Sequence, residues 1–261
     1  MFLKFIEKTG NKTIDFLDSF GRMMVFLSLG FINIFVLPFQ FKKIIDHIWF
    51  IGAKSIFVIA LTGLFTGMVL GLQGYYTLVQ FGAEAALGSA VALSLIRELA
   101  PVFTAIMITA RAGSAIAAEI GVMRISEQID ALETMHINPI RFLFAPRIVA
   151  AIISFPLLTA LFDVIGIFGG YISGSLMLGI NRYIYMDTIV RSVLLEDING
   201  GFYKSFAFAI IVITICCYRG FYTHLYSGFG ARGVSLSTTN AVVQSCVFIL
   251  ISDYIITYFL V

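Results

Sequence analysis

The chain has 261 residues, of which 59% are hydrophobic and 12% charged, with a formal net charge of +2 and a mean hydropathy of +0.97. Soluble domains carry about 25% charged residues, so this chain has too few polar side chains to cover a soluble globule. The near-neutral charge offers no broad basic face for nucleic acid. We predict an all-α integral membrane protein with one domain over residues 1–261.

Residues 1–47 are predicted to lie at the membrane surface. Charged and bulky side chains alternate at helical spacing over residues 1–22, which is typical of an interfacial helix, a loosely ordered tail being the alternative. Residues 23–41 are uncharged. A crossing there would place Lys42 and Lys43 opposite the earlier lysines, against the positive-inside tendency. We therefore predict an interfacial or re-entrant elbow.

The transmembrane bundle is predicted over residues 48–261. Apolar runs long enough to cross a hydrocarbon core of about 30 Å define five spans, at residues 55–83, 89–120, 148–178, 201–218 and from 234 to the end. We expect the third span to bend at Pro156. Polar or glycine-rich stretches define the connections: a short amphipathic helix at 126–137 before a return to the membrane at Pro146, a loop or surface helix at 181–199, and a loop at 220–233.

Glycines recur every four residues in two of the spans. Gly63, Gly67 and Gly71 lie in the first span, and a second series begins at Gly166 in the third. Small residues at this spacing let two helix backbones approach closely. The pattern predicts helix packing inside the bundle.

Basic residues are distributed unequally between the two sides of the predicted bundle, and the side rich in Lys and Arg is the cytoplasmic one. The opposite side holds Arg182, Arg191 and Lys204. This distribution predicts a cytoplasmic N-terminus and a C-terminus on the outside. The basic residues on the N-terminal side are Lys4, Lys8, Lys12, Arg22, Lys42, Lys43, Lys54, Arg124, Arg141, Arg147, Arg219 and Arg232.

Two charges are predicted deep in the second span. Arg97 and Glu98 lie about 12–14 Å along a helix that enters at Ser89, and a charge in hydrocarbon costs about 2.5–3.5 kcal/mol. Their side chains point about 100° apart, so each needs another partner, and Lys204 is the candidate for Glu98. We predict a cavity for an amphiphile in which Arg97 favours a phosphate. Structural ion pairing is the alternative. For Arg111, Glu119, Asp163 and Asp253, a structural or interfacial position is preferred.

Apolar side chains near the outer end of the first span are candidates for an acyl-chain wall, and Leu70, Tyr75, Leu78 and Phe81 are the predicted members. Aromatic residues at this depth equally suit an ordinary interfacial belt.

Residues 125–138 are predicted to form a coupling segment. Ser126 is a suitable N-cap, and Pro139 is predicted to stop the helix. One face would be apolar and the other acidic, which suits a groove on a partner protein better than an anionic membrane surface. The predicted coupling residues are Glu127, Gln128, Ile129, Asp130, Leu132, Glu133 and Met135.

The sequence contains no G-x-x-x-x-G-K-[ST] phosphate loop, so ATP and Mg²⁺ would have to be bound by another subunit. Its histidines are far apart, and the three cysteines are predicted to be buried thiols. We therefore expect neither an enzyme nor a metal site.

Several long runs resemble the MlaE (YrbE) permease family. These are residues 64–74 (LFTGMVLGLQG), 93–102 (LSLIRELAPV), 110–115 (ARAGSA), 118–124 (AEIGVMR), 126–133 (SEQIDALE) followed by Asn138 and Pro139, and 154–159 (SFPLLT). The similarity extends from about residue 50 to the C-terminus and is strongest over residues 60–175.

This resemblance implies the transmembrane subunit of an ABC-type phospholipid transporter in the inner membrane of a Gram-negative bacterium. It implies a homodimer with cytoplasmic ABC ATPases, a STAS-domain protein and a periplasmic MCE-domain ring. A lipid would be held between the two permeases, and its transport would maintain outer-membrane lipid asymmetry. An ion-coupled secondary transporter using Glu98 and Glu119, and a non-transporting membrane scaffold, are the alternatives.

Overall fold

The computed structural model describes residues 2–34, 40–226, 228 and 230–260, and every regular element in these ranges is helical. The described residues include five helical segments long and apolar enough to cross a membrane. The prediction of an all-α protein with five spans is confirmed. The five segments are Phe41–Val79, Glu84–Ile125, Pro139–Met177, Leu195–Phe221 and Gly230–Leu260.

The helices follow the chain in an up-and-down order. They are α1 (Phe2–Ile34), α2 (Phe41–Ile51), α3 (Ile56–Val79), α4 (Leu87–Ser94), α5 (Ala100–Ile108), α6 (Ser114–Ile125), α7 (Gln128–Thr134), α8 (Pro139–Tyr171), α9 (Arg182–Ser192), α10 (Leu195–Phe221), α11 (Thr223–Tyr226) and α12 (Gly230–Leu260). We call the end of the bundle where α3 ends and α10 begins the cavity end, and the opposite end, which carries α7, the α7 end.

The N-terminal helix is longer than predicted. α1 continues without a break to Ile34, through the first part of the predicted elbow, and residues 35–39 lie outside the described part of the chain. The predicted lysine face also lies outside the side chains that the structure describes. Phe26 anchors α1 to the bundle, because its buried ring contacts those of Phe144 and Phe221 at 5.1 and 5.7 Å.

The predicted glycine packing is present between α3 and α8. A Cβ atom on Gly67 would collide with the backbone of Gly166, and one on Gly63 would lie 3.2 Å from the carbonyl oxygen of Phe162. The close contacts continue to Gly71, where a Cβ atom would lie 3.0 Å from the carbonyl oxygen of Gly170. Small residues therefore set the spacing of this pair.

Two π-helical turns interrupt the second span. Leu95–Leu99 lies between α4 and α5 and contains Arg97 and Glu98, and Thr109–Gly113 lies between α5 and α6 and contains Arg111. A π-helical turn inserts an extra residue into a helix and is frequent at functional sites. Arg97, Glu98 and Arg111 therefore lie on irregular turns, whereas Glu119 lies on the regular helix α6.

The third span begins nine residues earlier than predicted. Pro139 starts α8, and the side chain of Asn138 caps it by accepting from the N–H groups of Ile140 and Arg141 at 3.0 and 3.3 Å. Proline fits the first turn because its missing N–H needs no partner there. Pro139 therefore begins a helix, and does not stop the preceding one. Pro146 is buried inside α8, so the predicted return to the membrane at Pro146 is wrong.

Helices also extend into the predicted connections. α9 occupies most of residues 181–199, in agreement with the surface-helix alternative. Within residues 220–233, α11 forms a short turn and α12 has already begun at Gly230.

Candidate functional site

A polar cavity of about 500 Å³ opens at the cavity end of the bundle. It lies between the π-helical turn at Leu95–Leu99, the first turns of α10 and the last turns of α12. Most of the residues that line it have charged or polar side chains. The lining residues are Arg97, Glu98, Glu196, Asp197, Asn199, Gly200, Gly201, Tyr203, Lys204, Thr257 and Leu260.

The close approach of α10 to the π-helical turn depends on Gly201. A Cβ atom there would lie 2.7 Å from the carbonyl oxygen of Ile96, so only glycine fits without a backbone shift. Pro101 follows the turn and has no N–H to donate into it. Lys204, one turn beyond Gly201, supplies a donor, because its Nζ lies 2.8 Å from the carbonyl oxygen of Arg97.

Lys204 is the buried centre of the cavity's charge network. Its side chain is only 2% exposed, and Nζ donates to Glu98 Oε2 at 2.6 Å and lies 3.1 Å from Asp253 Oδ1. With the Arg97 carbonyl, three oxygens surround one ammonium group, which has three protons to donate. Lys204 therefore links three segments, through hydrogen bonds to the Arg97 carbonyl and Glu98 and an ion pair with Asp253.

The guanidinium of Arg97 is bonded to Asp197 on one side and is accessible on the other. Its Nε donates to Asp197 Oδ1 at 2.7 Å, while Asp197 Oδ2 accepts from the backbone N–H of Leu194 at 2.9 Å and so caps α10. The Asp197 side chain is 8% exposed and that of Arg97 52%. Because guanidinium has five N–H donors, Arg97 keeps donors on its exposed side that face the cavity.

Sequence reasoning identified part of this network. The pairing expected between Glu98 and Lys204 is present, and Arg97 and Glu98 do take separate partners. Asp197 was not singled out, and Asp253 was assigned a structural or interfacial role although it contacts Lys204. Thr257, whose hydroxyl lies 3.3 Å from Glu98 Oε1, was also missed. Thr257 could have been identified from the sequence, because it lies one helical turn after Asp253 on the same face.

The predicted apolar wall is not part of this cavity. Leu70, Tyr75 and Leu78 are partly buried against the core of the bundle, and Phe81 is 77% exposed. They lie at the same end of the bundle as the cavity, since α3 ends there. The structure brings Arg97, Glu98 and Lys204 together but leaves these four apolar residues apart from them.

The coupling segment differs from its prediction in its boundaries. α7 covers Gln128–Thr134, and its N-cap is Glu127, in a left-handed conformation with φ of 59°. The predicted N-cap, Ser126, instead follows the last residue of α6. Met135 lies beyond the helix and is 68% exposed, so the apolar stripe does not reach it.

The exposed face of α7 is acidic, as predicted. Glu127, Gln128 and Glu133 are exposed, Leu132 is partly exposed, and Ile129 is fully buried beneath them. A buried apolar anchor under an exposed acidic surface fixes the helix on the bundle while leaving its outer face accessible.

Arg124 fixes α7 to neighbouring elements. Its Nη1 donates to Asp130 Oδ1 at 2.7 Å, its Nε donates to His224 Nδ1 at 3.0 Å, and its guanidinium lies 5.6 Å from the ring centre of Phe221. Burial, and then the positive charge of Arg124, lower the pKa of His224 below its usual value of 6.5. His224 therefore stays neutral and accepts the hydrogen bond.

The other membrane charges have local partners or none among the described residues. Glu119 pairs with the buried Arg147 at 3.0 Å, and Arg111 donates to the carbonyl oxygen of Phe50, in agreement with structural roles. Asp163 Oδ1 is buried and has no hydrogen-bond partner within the described ranges.

Comparison with known proteins places the chain in a family. The model of the permease MlaE family matches residues 44–259. The chain belongs to the MlaE permease family.

Three relatives illustrate the range of the MlaE family. The "Intermembrane phospholipid transport system permease protein MlaE" of Haemophilus influenzae is 40% identical over 258 residues, covering 98% of this chain and 97% of the relative. A "Probable ABC transporter permease protein" of Rickettsia bellii is 41% identical over 98% of both chains. The chloroplastic protein TRIGALACTOSYLDIACYLGLYCEROL 1 of Arabidopsis thaliana is 38% identical over 80% of this chain and 58% of the relative.

The region that matches the MlaE family contains both features described above. All charged residues of the cavity and the whole of α7 lie within residues 44–259, whereas α1 precedes the match. The resemblance noted in the sequence is thereby confirmed.

Proposed function

We propose that this chain is the membrane permease of an ABC-type phospholipid transporter in a bacterial inner membrane. The polar cavity would hold the headgroup of a phospholipid, and transport would maintain the lipid asymmetry of the outer membrane. The observation that carries the proposal is the half-exposed guanidinium of Arg97, held over a buried charge network inside an apolar bundle.

The chemistry of the cavity suits a phosphate group. Arg97 is oriented by Asp197 through Nε, and its remaining N–H groups form the fork that binds phosphate oxygens. Lys204 would act as a positioning residue, because its ammonium is already bonded within the protein. The predicted role of Lys204 in lipid binding would thus be indirect, through Glu98 and the backbone of Arg97.

The apolar residues would serve the acyl chains. Tyr75 and Phe81 lie at the same end of the bundle as the cavity, together with Leu70 and Leu78. In a homodimer, this surface of one permease would adjoin the cavity of its partner, so that the tails leave the headgroup site along apolar side chains. Two copies of the chain would then be needed to complete one lipid site.

The energy for lipid transport would come from separate ATPase subunits. A cytoplasmic ABC ATPase would bind ATP and Mg²⁺ and dock on α7, whose exposed acidic side chains have few partners in this chain. A STAS-domain protein would complete the cytoplasmic side, and an MCE-domain ring would receive lipid on the periplasmic side. This arrangement puts the N-terminus in the cytoplasm and the C-terminus in the periplasm.

The test compares lipid bound by the purified complex. We expect Arg97→Ala with Glu98→Ala to lower the phospholipid that co-purifies and to lower ATP-dependent lipid transfer between vesicles by about tenfold, the typical effect of losing one charge-assisted contact. Arg191→Ala is the matched control, because Arg191 is exposed at the same end and pairs only with Asp187 among the described residues. Unchanged lipid yield and transfer in the double variant would contradict the proposal.

An ion-coupled transporter is the alternative function. It is considered because Glu98 and Asp253 share one cation, Lys204. The two mechanisms differ in their energy source. Lipid transfer that persists without ATP and follows an imposed proton gradient would favour the rival.

A further inference from the structure

The cavity contains more acid than base. Arg97 and Lys204 are its two cationic side chains, whereas Glu98, Glu196 and Asp197 are acidic. Asp253 adds another carboxylate behind Lys204. The fixed charge that a headgroup meets is therefore negative, although the most open cation, Arg97, suits a phosphate.

The ion pairs within the protein determine which charged groups a ligand can contact. Lys204 and Asp197 are buried, and their partners lie within the protein. Glu196 is exposed and has no cationic partner within ion-pair distance among the described side chains. Glu98 is 43% exposed despite its contact with Lys204. A ligand therefore meets one accessible cation, on Arg97, and two accessible carboxylates.

Resting on the proposed function, we infer that this cavity selects phospholipids whose headgroup carries an amine in addition to the phosphate. Arg97 would donate to the phosphate, and Glu196 and Glu98 would accept from the ammonium group. A zwitterionic headgroup adds no net charge to an acidic site and places its cation beside carboxylates. An anionic headgroup, such as that of phosphatidylglycerol, adds negative charge with no cation to offset it.

The expected selectivity is modest, because the carboxylates are open to solvent. An exposed ion pair changes an equilibrium by at most about fivefold. We therefore expect an enrichment of up to about fivefold in the cavity, and no exclusion of anionic lipid.

The experiment counts headgroups at the site. The full chain is placed in nanodiscs with equal amounts of phosphatidylethanolamine and phosphatidylglycerol that carry the same photoreactive acyl chain. After irradiation, mass spectrometry compares the two headgroups on peptides from the first turns of α10 and the end of α12. Peptides from the exposed face of α3, with Phe57 and Phe65, report the bulk ratio. Glu196→Gln removes the charge of one cavity carboxylate. Asp187→Asn is the control, because it removes a carboxylate charge outside the cavity at the same end of the bundle.

We expect the amine lipid to be enriched up to about fivefold on cavity peptides. The enrichment should fall toward the bulk ratio in Glu196→Gln, and Asp187→Asn should match the unmodified chain. Lipid cross-linked in the cavity at the bulk ratio, or enriched in phosphatidylglycerol, would overturn this inference and leave the proposed function standing. Enrichment that survives Glu196→Gln unchanged would overturn the role of Glu196. No lipid on the cavity peptides at all would overturn the proposed function together with the inference.

Discussion

The two ends of the bundle use charge in opposite ways. At the cavity end, residues from three spans meet around one buried ammonium, and every contact joins positions about 50 to 160 residues apart. At the α7 end, the exposed acidic side chains of residues 127–133 mostly point away from the bundle. Of these three acids, Asp130 is paired with Arg124.

This comparison distinguishes buried charges that stabilise the fold from exposed charges that are available to another molecule. A buried charge persists in a bundle only if partners surround it, because unpaired burial is costly. An exposed acid has no such requirement, since water solvates it. We therefore expect substitutions in the buried network at the cavity end to affect folding and lipid together, and substitutions of the exposed residues of α7 to affect assembly alone.

The largest effect is expected for Lys204→Met. Without the ammonium, Glu98 and Asp253 lose their shared cation, and breaking such a buried pair costs about 3–5 kcal/mol. We expect the lower end of that range, because Glu98 is partly exposed. Thermal unfolding in detergent measures the loss, with the exposed Lys54→Met as control. Equal stability of the two variants would show that the network is not structural.

Two glycine variants on α10 test whether the packing around the cavity network is also structural. Gly201→Ala places a methyl group 2.7 Å from the Ile96 carbonyl oxygen, whereas Gly200→Ala meets only Leu260 Cδ1 at 3.5 Å. We expect Gly201→Ala to destabilise by about 1–3 kcal/mol and Gly200→Ala to be neutral or stabilising by up to about 1 kcal/mol. The same assay compares them. Identical unfolding temperatures would mean that α10 does not require this close approach.

At the α7 end, the expected effect is on binding and not on the fold. Glu133→Lys reverses an exposed charge, and Leu132→Asp puts a charge on a partly exposed apolar position. Both should lower co-purification of the ATPase while the thermal stability of the bundle changes little. Glu84→Lys, an exposed acid at the cavity end, is the matched control. Undiminished ATPase recovery in both α7 variants would refute the assignment of α7 as the docking helix.

The smallest expected effect depends on pH. The pKa of His224 in the folded protein lies below its usual 6.5, so the unfolded chain binds more protons just below that pH, and stability falls as pH falls through that window. His224→Gln should show a smaller decrease in unfolding temperature between about pH 7 and pH 5.5. Equal pH dependence in the two proteins would mean that the bond from Arg124 does not require neutral His224.

Much of the fold could be predicted because hydropathy is local. Apolar runs located all five spans, but their ends were misplaced where a proline or a charged residue lies in the first turn of a helix, as Pro139 and Arg141 do in α8. The cap by Asn138 marks that start, but a proline after a polar helix is equally compatible with a stop. Helix ends are set by capping contacts, which hydropathy does not measure.

The candidate site was only partly predictable because its contacts are not local. Glu98 and Lys204 were paired from their expected depths alone. Asp253 lies on a different span, and its approach to Lys204 depends on how α10 packs against α12. Depth along a helix can be counted from the sequence, whereas the rotation of each helix about its axis comes from packing.

The most direct test of the central claim is a density map of the assembled complex in lipid nanodiscs. We predict a phospholipid whose phosphate lies within hydrogen-bond distance of the Arg97 guanidinium, with Lys204 still bonded to Glu98. A map in which Arg97, Glu98 and Lys204 contact only their own bundle, while lipid occupies a separate apolar chamber, would contradict it.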